Sequence, residues 1–406
     1  MAGDGSLTRL WRAATCAELA AVVLAACACA RPPKLTGPVV VPFELRGDLI
    51  VVTVDVNGHP AALILDTGTG IGLALDSAFA QQARVDLSWH SAQVNGHAAP
   101  LGTARNVHVG SAPLADVGVV VVDIGTLQSR VGHDVRGTIG YDLFDRYVVT
   151  IDYDAQTITL IEPDAFTYAG SGTVVPVDLE HHLPVLAASI ITRAHGVIPV
   201  RLHLDLGSAT YAVRLSQRTV AAYDLAHDTV TVHGLFGVGV GGAAEGEMLR
   251  MPVLKIGALT ISRPSMALSH EMDGPFGPTA STDGTIGEPI LRRTHLIVDY
   301  SRSRVILESR ARFDVPDTVD GSGLTLASAD SAGSAWRVNT VLAGSAGARA
   351  GIHMGDEVVG IDGQPAAALP FGRIRELLRA DGVTRRLAVR RAGTTLAVPI
   401  ALKMIF

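Results

Sequence analysis

The chain contains little cysteine. Its 406 residues include three cysteines, at positions 16, 27 and 29. Because no thiol follows residue 29, the main body of the chain has no disulfide framework and no thiolate metal site. The absence of cysteine there shifts the expected chemistry towards carboxylates and oxygen ligands.

Charged residues are also scarce. They make up 18% of the chain, the formal net charge is −6, and 48% of the residues are hydrophobic. The hydrophobic share is that of a globular protein, and the charge excludes both a disordered chain and a polybasic nucleic-acid binder. At roughly 150 residues per domain, the length predicts two to three domains, each large enough to bury a core.

An apolar run at 19–30 follows two arginines, Arg9 and Arg12. As a helix it would span about 18 Å, well short of the ~30 Å hydrocarbon core of a membrane. Pro32 and Pro33 would stop such a helix immediately afterwards. The run therefore predicts an export signal rather than a permanent membrane helix.

The tetrapeptide Leu-Ala-Ala-Cys that ends at Cys27 resembles the lipobox of bacterial lipoproteins. On this resemblance residues 1–26 are a signal peptide, Cys27 is lipid-modified, and residues 27–40 form a tether. The competing interpretation is cleavage after Ala30 at an A-x-A site, which would release a soluble protein without cysteine. We expect an exported chain, either a membrane-anchored lipoprotein of the cell envelope or a soluble periplasmic or secreted protein.

From residue 40 to residue 308 the pattern consists of short alternating or β-branched runs separated by Gly, Asn and Asp. One such run, 49–56, leads into Asn57-Gly58, which is a strong signal for a tight hairpin. No long helical pattern interrupts the region. The sequence predicts a mostly β fold.

An internal repeat divides this β region into two halves. Three segments of the first half recur in the same order in the second, at 60–68 and 199–207, 137–140 and 284–287, and 152–153 and 299–300. The first pair reads PAALILDTG and PVRLHLDLG, the second is Gly-Thr-Ile-Gly in both halves, and the third is Asp-Tyr in both. The repeat predicts two similar lobes, 41–168 and 173–310, related by a pseudo-two-fold axis.

Each half contributes one aspartate, Asp66 or Asp205, at the end of an apolar run and two residues before a glycine. Glycine permits a tight turn there. Two facing carboxyl groups resist double ionisation and share a proton, so one can take a proton from water while the other polarises a carbonyl. An ordinary Asp-x-Gly turn would explain either segment alone, but it does not explain the repeat. We therefore predict a catalytic dyad of Asp66 and Asp205.

These segments resemble the pepsin-like and retropepsin-like aspartic proteases. The Asp-Thr-Gly at 66–68 matches the active-site loop of the family, and the Ile-Gly pairs at 139–140 and 286–287 match the hydrophobic element that crosses beneath it. The resemblance covers residues 40–308. It implies two β-barrel lobes and a water molecule activated by the two aspartates, with neither a metal nor an organic cofactor.

The implied active-site loops consist of Thr67 and Gly68 in the first lobe and of Leu206 and Gly207 in the second. Leu206 stands where the family has Thr or Ser. The reciprocal hydroxyl hydrogen bonds between the two loops therefore cannot form symmetrically. The predicted flap of the first lobe contains Trp89 but lacks the tyrosine of pepsin-like enzymes.

Other motifs favour no additional chemistry. The chain has 14 histidines, but the adjacent His181 and His182 would point to opposite sides of an extended chain, and H-E-x-x-H is absent, so we expect no metal site. His203 should lie on the same strand face as Asp205 and is interpreted as scaffold. The glycine-rich stretch 237–242 lacks the context of a nucleotide-binding loop and predicts a hairpin over the cleft.

The C-terminal 80 residues resemble a PDZ domain of the kind found in bacterial proteases. The motif A-G-I-x-x-G-D at 350–356 precedes a strand and an Asp-Gly turn at 362–363. The resemblance implies a domain at 322–402 in which a helix at 371–380 and a neighbouring strand form a peptide groove. The candidate nest of N–H groups for a terminal carboxylate comprises Gly323, Leu324, Thr325 and Leu326. The alternative is a closed domain that serves only in packing.

The sequence thus predicts an exported aspartic endopeptidase with a C-terminal PDZ domain. Its expected partners are a polypeptide substrate, peptide or protein C-termini at the PDZ domain, and the membrane through Cys27. No nucleic acid partner and no cofactor are expected. The alternative is a non-catalytic peptide-binding envelope protein with a degenerate protease fold, in which the cleft and the groove only hold chains.

Overall fold

The structure is a computed structural model that describes residues 32–404, except 95–96, 226–231, 240–241, 273–275, 312, 331–332 and 370. The predicted signal peptide and the lipidation site Cys27 lie outside the described residues. Within the described ranges no helix is both long and apolar enough to cross a membrane.

The strands and helices of the first lobe, called lobe 1, are β1 (Val39–Arg46), β2 (Leu49–Val56), β3 (His59–Leu65), β4 (Leu73–Leu75), α1 (Ser77–Gln82), β5 (Asp86–Val94), β6 (His97–Ala104), β7 (Val107–Val109), β8 (Ala112–Leu114), β9 (Val117–Val121), α2 (Gly125–Val131), β10 (Val135–Ile139), α3 (Tyr141–Arg146), β11 (Val148–Asp152) and β12 (Thr157–Ile161).

Those of the second lobe, called lobe 2, are β13 (Thr173–Glu180), β14 (Leu183–Thr192), β15 (Gly196–Asp205), β16 (Val213–Leu215), α4 (Gln217–Ala222), β17 (Val232–Gly239), β18 (Gly242–Arg250), β19 (Val253–Ile256), β20 (Leu259–Ser262), β21 (Ser265–Ser269), β22 (Gly284–Gly287), α5 (Glu288–Leu291), β23 (Thr294–Asp299) and β24 (Arg304–Ser309).

The C-terminal domain contains β25 (Leu324–Ser328), β26 (Trp336–Val341), α6 (Ala346–Arg349), β27 (Glu357–Ile361), β28 (Gln364–Pro365), α7 (Phe371–Leu378), β29 (Thr384–Arg391) and β30 (Thr394–Ala401).

The two lobes have the same strand order. In lobe 1 the hydrogen-bonded neighbours run β5-β6-β9-β4-β10-β3-β2, with β7 also on β2. In lobe 2 they run β17-β18-β21-β16-β22-β15-β14, with β19 also on β14. Each strand of lobe 1 therefore has a counterpart in lobe 2, and the predicted mostly β fold with two pseudo-symmetric lobes is confirmed.

One helix breaks this symmetry. Helix α2 lies between β9 and β10 of lobe 1, whereas the described residues between β21 and β22 of lobe 2 contain no α-helix. The side chains of Leu127 and Val131 on α2 are buried, and they belong to a small apolar cluster that includes Ala209 of lobe 2. Helix α2 is thus packed between the two lobes.

A six-stranded antiparallel sheet joins the lobes. Its order is β1-β12-β11-β23-β24-β13, so each lobe contributes three strands. The two halves meet at β11 and β23, where Thr150 faces Ile297. Above it the buried side chains of both lobes form one continuous core, to which the strand-end residues Leu65 and Leu204 belong.

Two glycines explain why Gly-Thr-Ile-Gly recurs. Gly137 and Gly284 have φ angles of 154° and 158°. A Cβ atom on Gly137 would lie 1.9 Å from the Ala74 carbonyl oxygen, and one on Gly284 would lie 2.0 Å from the Arg214 carbonyl oxygen. No larger residue fits either position, because the strand passes directly against the backbone of its neighbour.

The C-terminal domain is a small sheet in the order β25-β26-β27-β29-β30, covered by α7. Its own core includes Val338, Ile374 and Leu387, all buried. Among the described residues, strand β25 pairs only with β26 and is therefore an edge strand. Helix α7 lies within the helix predicted at 371–380. The predicted Asp-Gly hairpin is also present, and Asp362 and Gly363 have φ angles of 50° and 83° at its turn.

The linker to this domain is held against lobe 2. Asp317 is buried and accepts hydrogen bonds from Arg250 at 3.1 Å, from Arg293 at 2.9 Å and from the Ser265 amide at 3.1 Å. A buried carboxylate with two guanidinium partners is costly to separate from them. The C-terminal domain therefore leaves lobe 2 from a fixed point.

Candidate active site

Each candidate catalytic aspartate stands at the end of a strand whose preceding residues are buried and which pairs in parallel with a Gly-Thr-Ile-Gly strand. In lobe 1, β10 lies between β3 and β4, and the Asp66 amide donates to the Ile139 carbonyl at 2.9 Å. In lobe 2, β22 lies between β15 and β16, with Asp205 in register with Gly287. The chain thus forms the same loop twice and fixes the backbone of each aspartate against a neighbouring strand.

The structure brings the two aspartates together. Their carboxyl groups face each other, and the Asp66 carboxyl lies against Gly207 of the other loop, where a Cβ atom would be 2.7 Å from Asp66 Oδ1. The Gly68 amide donates to Asp66 Oδ1 at 2.7 Å, and the Gly207 amide donates to Asp205 Oδ1 at 2.8 Å. A Cβ atom on Gly68 would lie 2.9 Å from one carboxyl oxygen of each aspartate, so glycine is required where the loops meet. Both aspartates remain partly exposed to solvent.

The environment favours protonated carboxyl groups. Burial, and after it the negative charge of Asp205, raise the pKa of Asp66 to about 7. Burial also raises the pKa of Asp205, against the hydrogen bonds that it accepts from Asp66, Gly207 and Ser208. Two carboxyls in this arrangement titrate as a pair. Near neutral pH and below, the pair can hold one proton, which is the state that general acid-base chemistry needs.

The predicted asymmetry of the two loops is visible. The Thr67 hydroxyl is buried, donates to the Leu204 carbonyl at 2.7 Å and accepts from the Leu206 amide at 3.0 Å. Leu206 is fully buried in the apolar core and returns no such bonds. On that side His203 lies with Nε2 3.4 Å from the Thr67 carbonyl oxygen, and burial lowers its pKa, which favours the neutral imidazole. One hydroxyl and one imidazole connect the loops.

Thr69 is a further polar contact that the sequence did not indicate. Its hydroxyl donates to Asp66 Oδ2 at 2.9 Å and lies 2.8 Å from the Thr138 hydroxyl. Ser208 has the corresponding place in lobe 2, where its backbone amide bonds Asp205. The repeat could have predicted these contacts, because Thr69 and Ser208 each stand three positions after the aspartate of their lobe and carry a hydroxyl.

Glu288 is a buried acid beside the dyad, and sequence reasoning missed it. It directly follows the second Gly-Thr-Ile-Gly, where lobe 1 has Tyr141, and it accepts hydrogen bonds from the Tyr153 hydroxyl at 2.9 and 3.1 Å. Burial is the main cause that raises its pKa to about 8, and the charge of Asp205 adds to this. By the repeat, Tyr141 corresponds to Glu288 and Tyr300 corresponds to Tyr153. The ring centroids of Tyr141 and Tyr300 lie 6.2 Å apart. Glu288 therefore distinguishes the two sides of the site.

Arg214 makes a second difference between the lobes. It stands on β16 where lobe 1 has Ala74, and it is salt-bridged to Glu271 and stacked 3.5 Å from the ring centroid of Phe276. Its positive charge lowers the pKa of Asp205. Fixed in this way, the guanidinium favours the ionised form of Asp205.

The histidines set aside in the sequence have structural contacts. His182 places Nδ1 3.1 Å from the Gly70 carbonyl oxygen and stacks on Tyr141 with ring centroids 4.0 Å apart. In the flap hairpin β5–β6, Trp89 is 88% exposed and contacts His90 with the ring centroids 3.6 Å apart and the ring planes tilted by 35°. The glycine-rich stretch of lobe 2 forms the hairpin β17–β18 as predicted, although 240–241 lie outside the described residues.

The four residues predicted for terminal carboxylate binding lie at the start of β25. The amides of Ser322 and Gly323 donate to Asp320 Oδ1 at 2.7 and 3.0 Å, and the Leu324 amide donates to the Ser322 hydroxyl at 3.1 Å. The Thr325 hydroxyl accepts from Thr340 at 2.7 Å. The side chain of the remaining residue, Leu326, is buried in the domain core.

Comparisons with known proteins find both families that the motifs resemble. Residues 52–143 match the family model described as aspartyl protease, and residues 337–391 match the PDZ domain model. The crystal structure of aspartic proteinase from Irpex lacteus is similar at 16% identity, covering 68% of this chain and 99% of that chain with a TM-score of 0.40. No curated protein sequence matches.

The aspartyl protease match ends soon after the first Gly-Thr-Ile-Gly. Lobe 2 is therefore assigned to the same architecture by its strand order, its parallel β15–β22 pair and its own Asp-x-Gly loop. The chain has an aspartyl protease-like domain followed by a PDZ domain, and both recognitions made from the sequence are confirmed.

Proposed function

We propose that the protein is an aspartic endopeptidase that hydrolyses peptide bonds with a water molecule activated by Asp66 and Asp205. One observation carries the proposal: the carboxyl groups of the two aspartates, one from each lobe, face each other across Gly68 and Gly207 and are partly open to solvent. The ionised member takes a proton from water, and the protonated member donates to the carbonyl oxygen of the scissile bond.

The amides of Gly68 and Gly207 keep the carboxyl groups oriented through this exchange. The proton stays within the pair, since loss of a proton from one carboxyl is matched by gain at the other. No covalent intermediate is required, which agrees with a chain that has no cysteine after residue 29.

The test is hydrolysis of an unstructured protein such as denatured casein, from pH 3 to 9, by the protein expressed without residues 1–30. Asp66→Asn and Asp205→Asn should each abolish cleavage, because either amide removes the ability to share a proton. Asp178→Asn is the matched control, since that side chain is 82% exposed. Activity that persists in both dyad variants rules out the proposal.

The asymmetric loops favour the alternative function, a peptide-binding protein with a degenerate protease cleft. If the parent protein cleaves nothing at any pH but still binds the denatured casein, and Asp66→Asn binds equally well, the alternative replaces the peptidase.

We propose peptide or protein C-termini as partners of the PDZ domain, and the membrane as a partner through a lipid on Cys27, which makes the protein an envelope lipoprotein. The motif at 24–27 supports the anchor. Mass spectrometry of the protein from membranes should show an acylated Cys27, and Cys27→Ala should release it. A mature N-terminus at Arg31 would instead support the soluble exported form.

A further inference from the structure

The walls of the PDZ groove contact lobe 1. In a PDZ domain a peptide binds by strand addition between an edge strand and a helix, which here are β25 and α7. Helix α2 of lobe 1 contacts both of these elements, and α7 also contacts β1. The helix that breaks the symmetry of the two lobes is therefore the one that lies against the groove.

A three-arginine clamp fixes this arrangement. Asp48, in the turn between β1 and β2, is salt-bridged to Arg379 at 2.6 Å and Arg375 at 3.2 Å, both on or next to α7, and to Arg292 of lobe 2 at 2.8 Å. Arg375 also donates to the Gly47 carbonyl at 2.7 Å. The side chains of Asp48 and both PDZ arginines are at most 15% exposed. A carboxylate with three charged partners at a buried junction is costly to separate from them.

The carboxylate nest at the end of the groove already has a carboxyl partner from the chain itself. Asp320 accepts from two successive amides, those of Ser322 and Gly323, and from the Ser322 hydroxyl. Of the four predicted nest residues, Gly323 donates its amide to Asp320 and Leu324 donates its amide to the Ser322 hydroxyl, so a terminal carboxylate would compete for these two N–H groups. Both parts of a PDZ peptide site, the groove walls and the nest, thus have partners within the chain.

We propose that the peptide-binding edge of the PDZ domain is an intramolecular interface, whose partner is helix α2 together with the Gly47–Asp48 turn of lobe 1. The PDZ domain packs on the protease-like domain through the surface that would bind a peptide terminus, so an external terminus competes with lobe 1 for that surface. This proposal is independent of catalysis, and a protein without peptidase activity could still have the interface.

Hydrogen exchange measured by mass spectrometry on the protein without residues 1–30 tests the interface. In Asp48→Asn, which removes the charge at the clamp, amides in β25, α7 and α2 should exchange at least about tenfold faster, while β2 and β27 remain protected. Asp164→Asn is the control, because its pair with Lys34 is on the surface. Fast exchange of β25 and α2 already in the parent protein would overturn the proposal.

If Asp48→Asn unfolds lobe 1, a disulfide decides the question. A Cβ on Gly372 would lie 3.5 Å from the Gly47 nitrogen, and no cysteine after residue 29 competes. Gly47→Cys combined with Gly372→Cys should close an intramolecular disulfide on mild oxidation and leave the exchange pattern unchanged. Two free thiols in a folded protein would overturn the proposal.

An independent observation points to a metal site in lobe 2. His233 and Glu247 face each other on β17 and β18, and His270 directly follows the adjacent strand β21. His233 Nδ1 lies 3.8 Å from Glu247 Oε1, His270 Nε2 contacts the same carboxylate, and all three ligand atoms lie within 4.8 Å of one another. Two imidazoles and one carboxylate form a ligand set typical of Zn²⁺ with one open position.

We infer that this cluster binds one zinc ion, which would fasten the base of the β17–β18 hairpin to β21. Isothermal titration with zinc chloride at pH 7.5 should give one equivalent, and the affinity should fall at least about tenfold in His233→Ala and in Glu247→Gln. His295→Ala, which removes a different cluster with Asp152 and Asp154, is the control. The proposed site is refuted if the parent protein binds no zinc, or if zinc binding is lost in His295→Ala but not in His233→Ala or Glu247→Gln.

Discussion

Glu288 should make the folded protein less stable as the pH rises, and replacing it with glutamine should remove that dependence. The carboxyl is fully buried, and its pKa is raised from 4.5 to about 8. Between these values the unfolded chain has released the proton while the folded protein still holds it, so the free energy of unfolding falls with pH. Below pH 4.5 both states hold the proton and the penalty vanishes.

The magnitude follows from the shift. At 1.36 kcal/mol per pH unit, a change from 4.5 to about 8 corresponds to roughly 5 kcal/mol as an upper limit. Asp66, raised to about 7, contributes in the same direction. The contribution of Glu288 is therefore obtained only from the difference in unfolding free energy between the parent protein and the variant.

Urea unfolding followed by intrinsic fluorescence at pH 5 and pH 8.5 measures this difference. Glu288→Gln keeps the shape and can still accept from Tyr153, so any cost of the amide is the same at both pH values. Relative to the parent protein, the variant should gain several kcal/mol between pH 5 and pH 8.5. Glu376→Gln, at a side chain that is 61% exposed, is the control and should gain nothing. If the free energy of unfolding changes equally with pH in the parent protein and in Glu288→Gln, then Glu288 is ionised in the folded protein and the reasoning is refuted.

Three further predictions concern the loops around the dyad. Thr67→Val removes two buried hydrogen bonds and should cost about 2 kcal/mol of unfolding free energy in urea, with a lower kcat on casein. Gly284→Ala should lower the Tm far more than Gly37→Ala, because a Cβ on Gly284 meets a carbonyl oxygen at 2.0 Å whereas one on Gly37 meets nothing within 4 Å. Arg214→Gln removes a positive charge that lowers the pKa of Asp205, so the acidic limb of the pH–activity profile should move to higher pH.

The parts of the fold that depend on local pattern could be predicted from the sequence. Asn57-Gly58 forms the expected hairpin, with φ angles of 55° and 84°. The duplicated Asp-x-Gly and Gly-Thr-Ile-Gly segments predicted the meeting of Asp66 and Asp205, since each segment carries the residues that its own loop needs: a small residue where backbones touch and an apolar strand that leads to the carboxylate. The strand correspondence of the lobes followed from the same repeat.

The contacts between distant segments could not be predicted in this way. Nothing near Asp48 in sequence indicates arginines more than 240 residues away. The sequence places Asp320 in the linker, and only the structure shows that its carboxylate accepts hydrogen bonds from the amides of Ser322 and Gly323. Glu288 follows the second Gly-Thr-Ile-Gly strand, and only the structure shows that the acid is buried and bonded to Tyr153. Such contacts depend on how folded segments and domains pack against one another, and this packing leaves no periodic pattern in the sequence.

The deviations from two-fold symmetry give the two aspartates different roles in the proposed reaction. Arg214 lies near Asp205 and has no counterpart at Ala74, and its charge favours ionised Asp205. The hydrogen bond from Asp66 to Asp205 acts in the same direction, while the charge of Asp205 and burial keep the pKa of Asp66 near 7. We therefore expect the pair to share its proton unequally, with the charge of Arg214 favouring ionisation on the side of Asp205. A symmetric pair would divide the proton equally, and here Leu206, Glu288 and Arg214 make the lobes unequal on the side of Asp205.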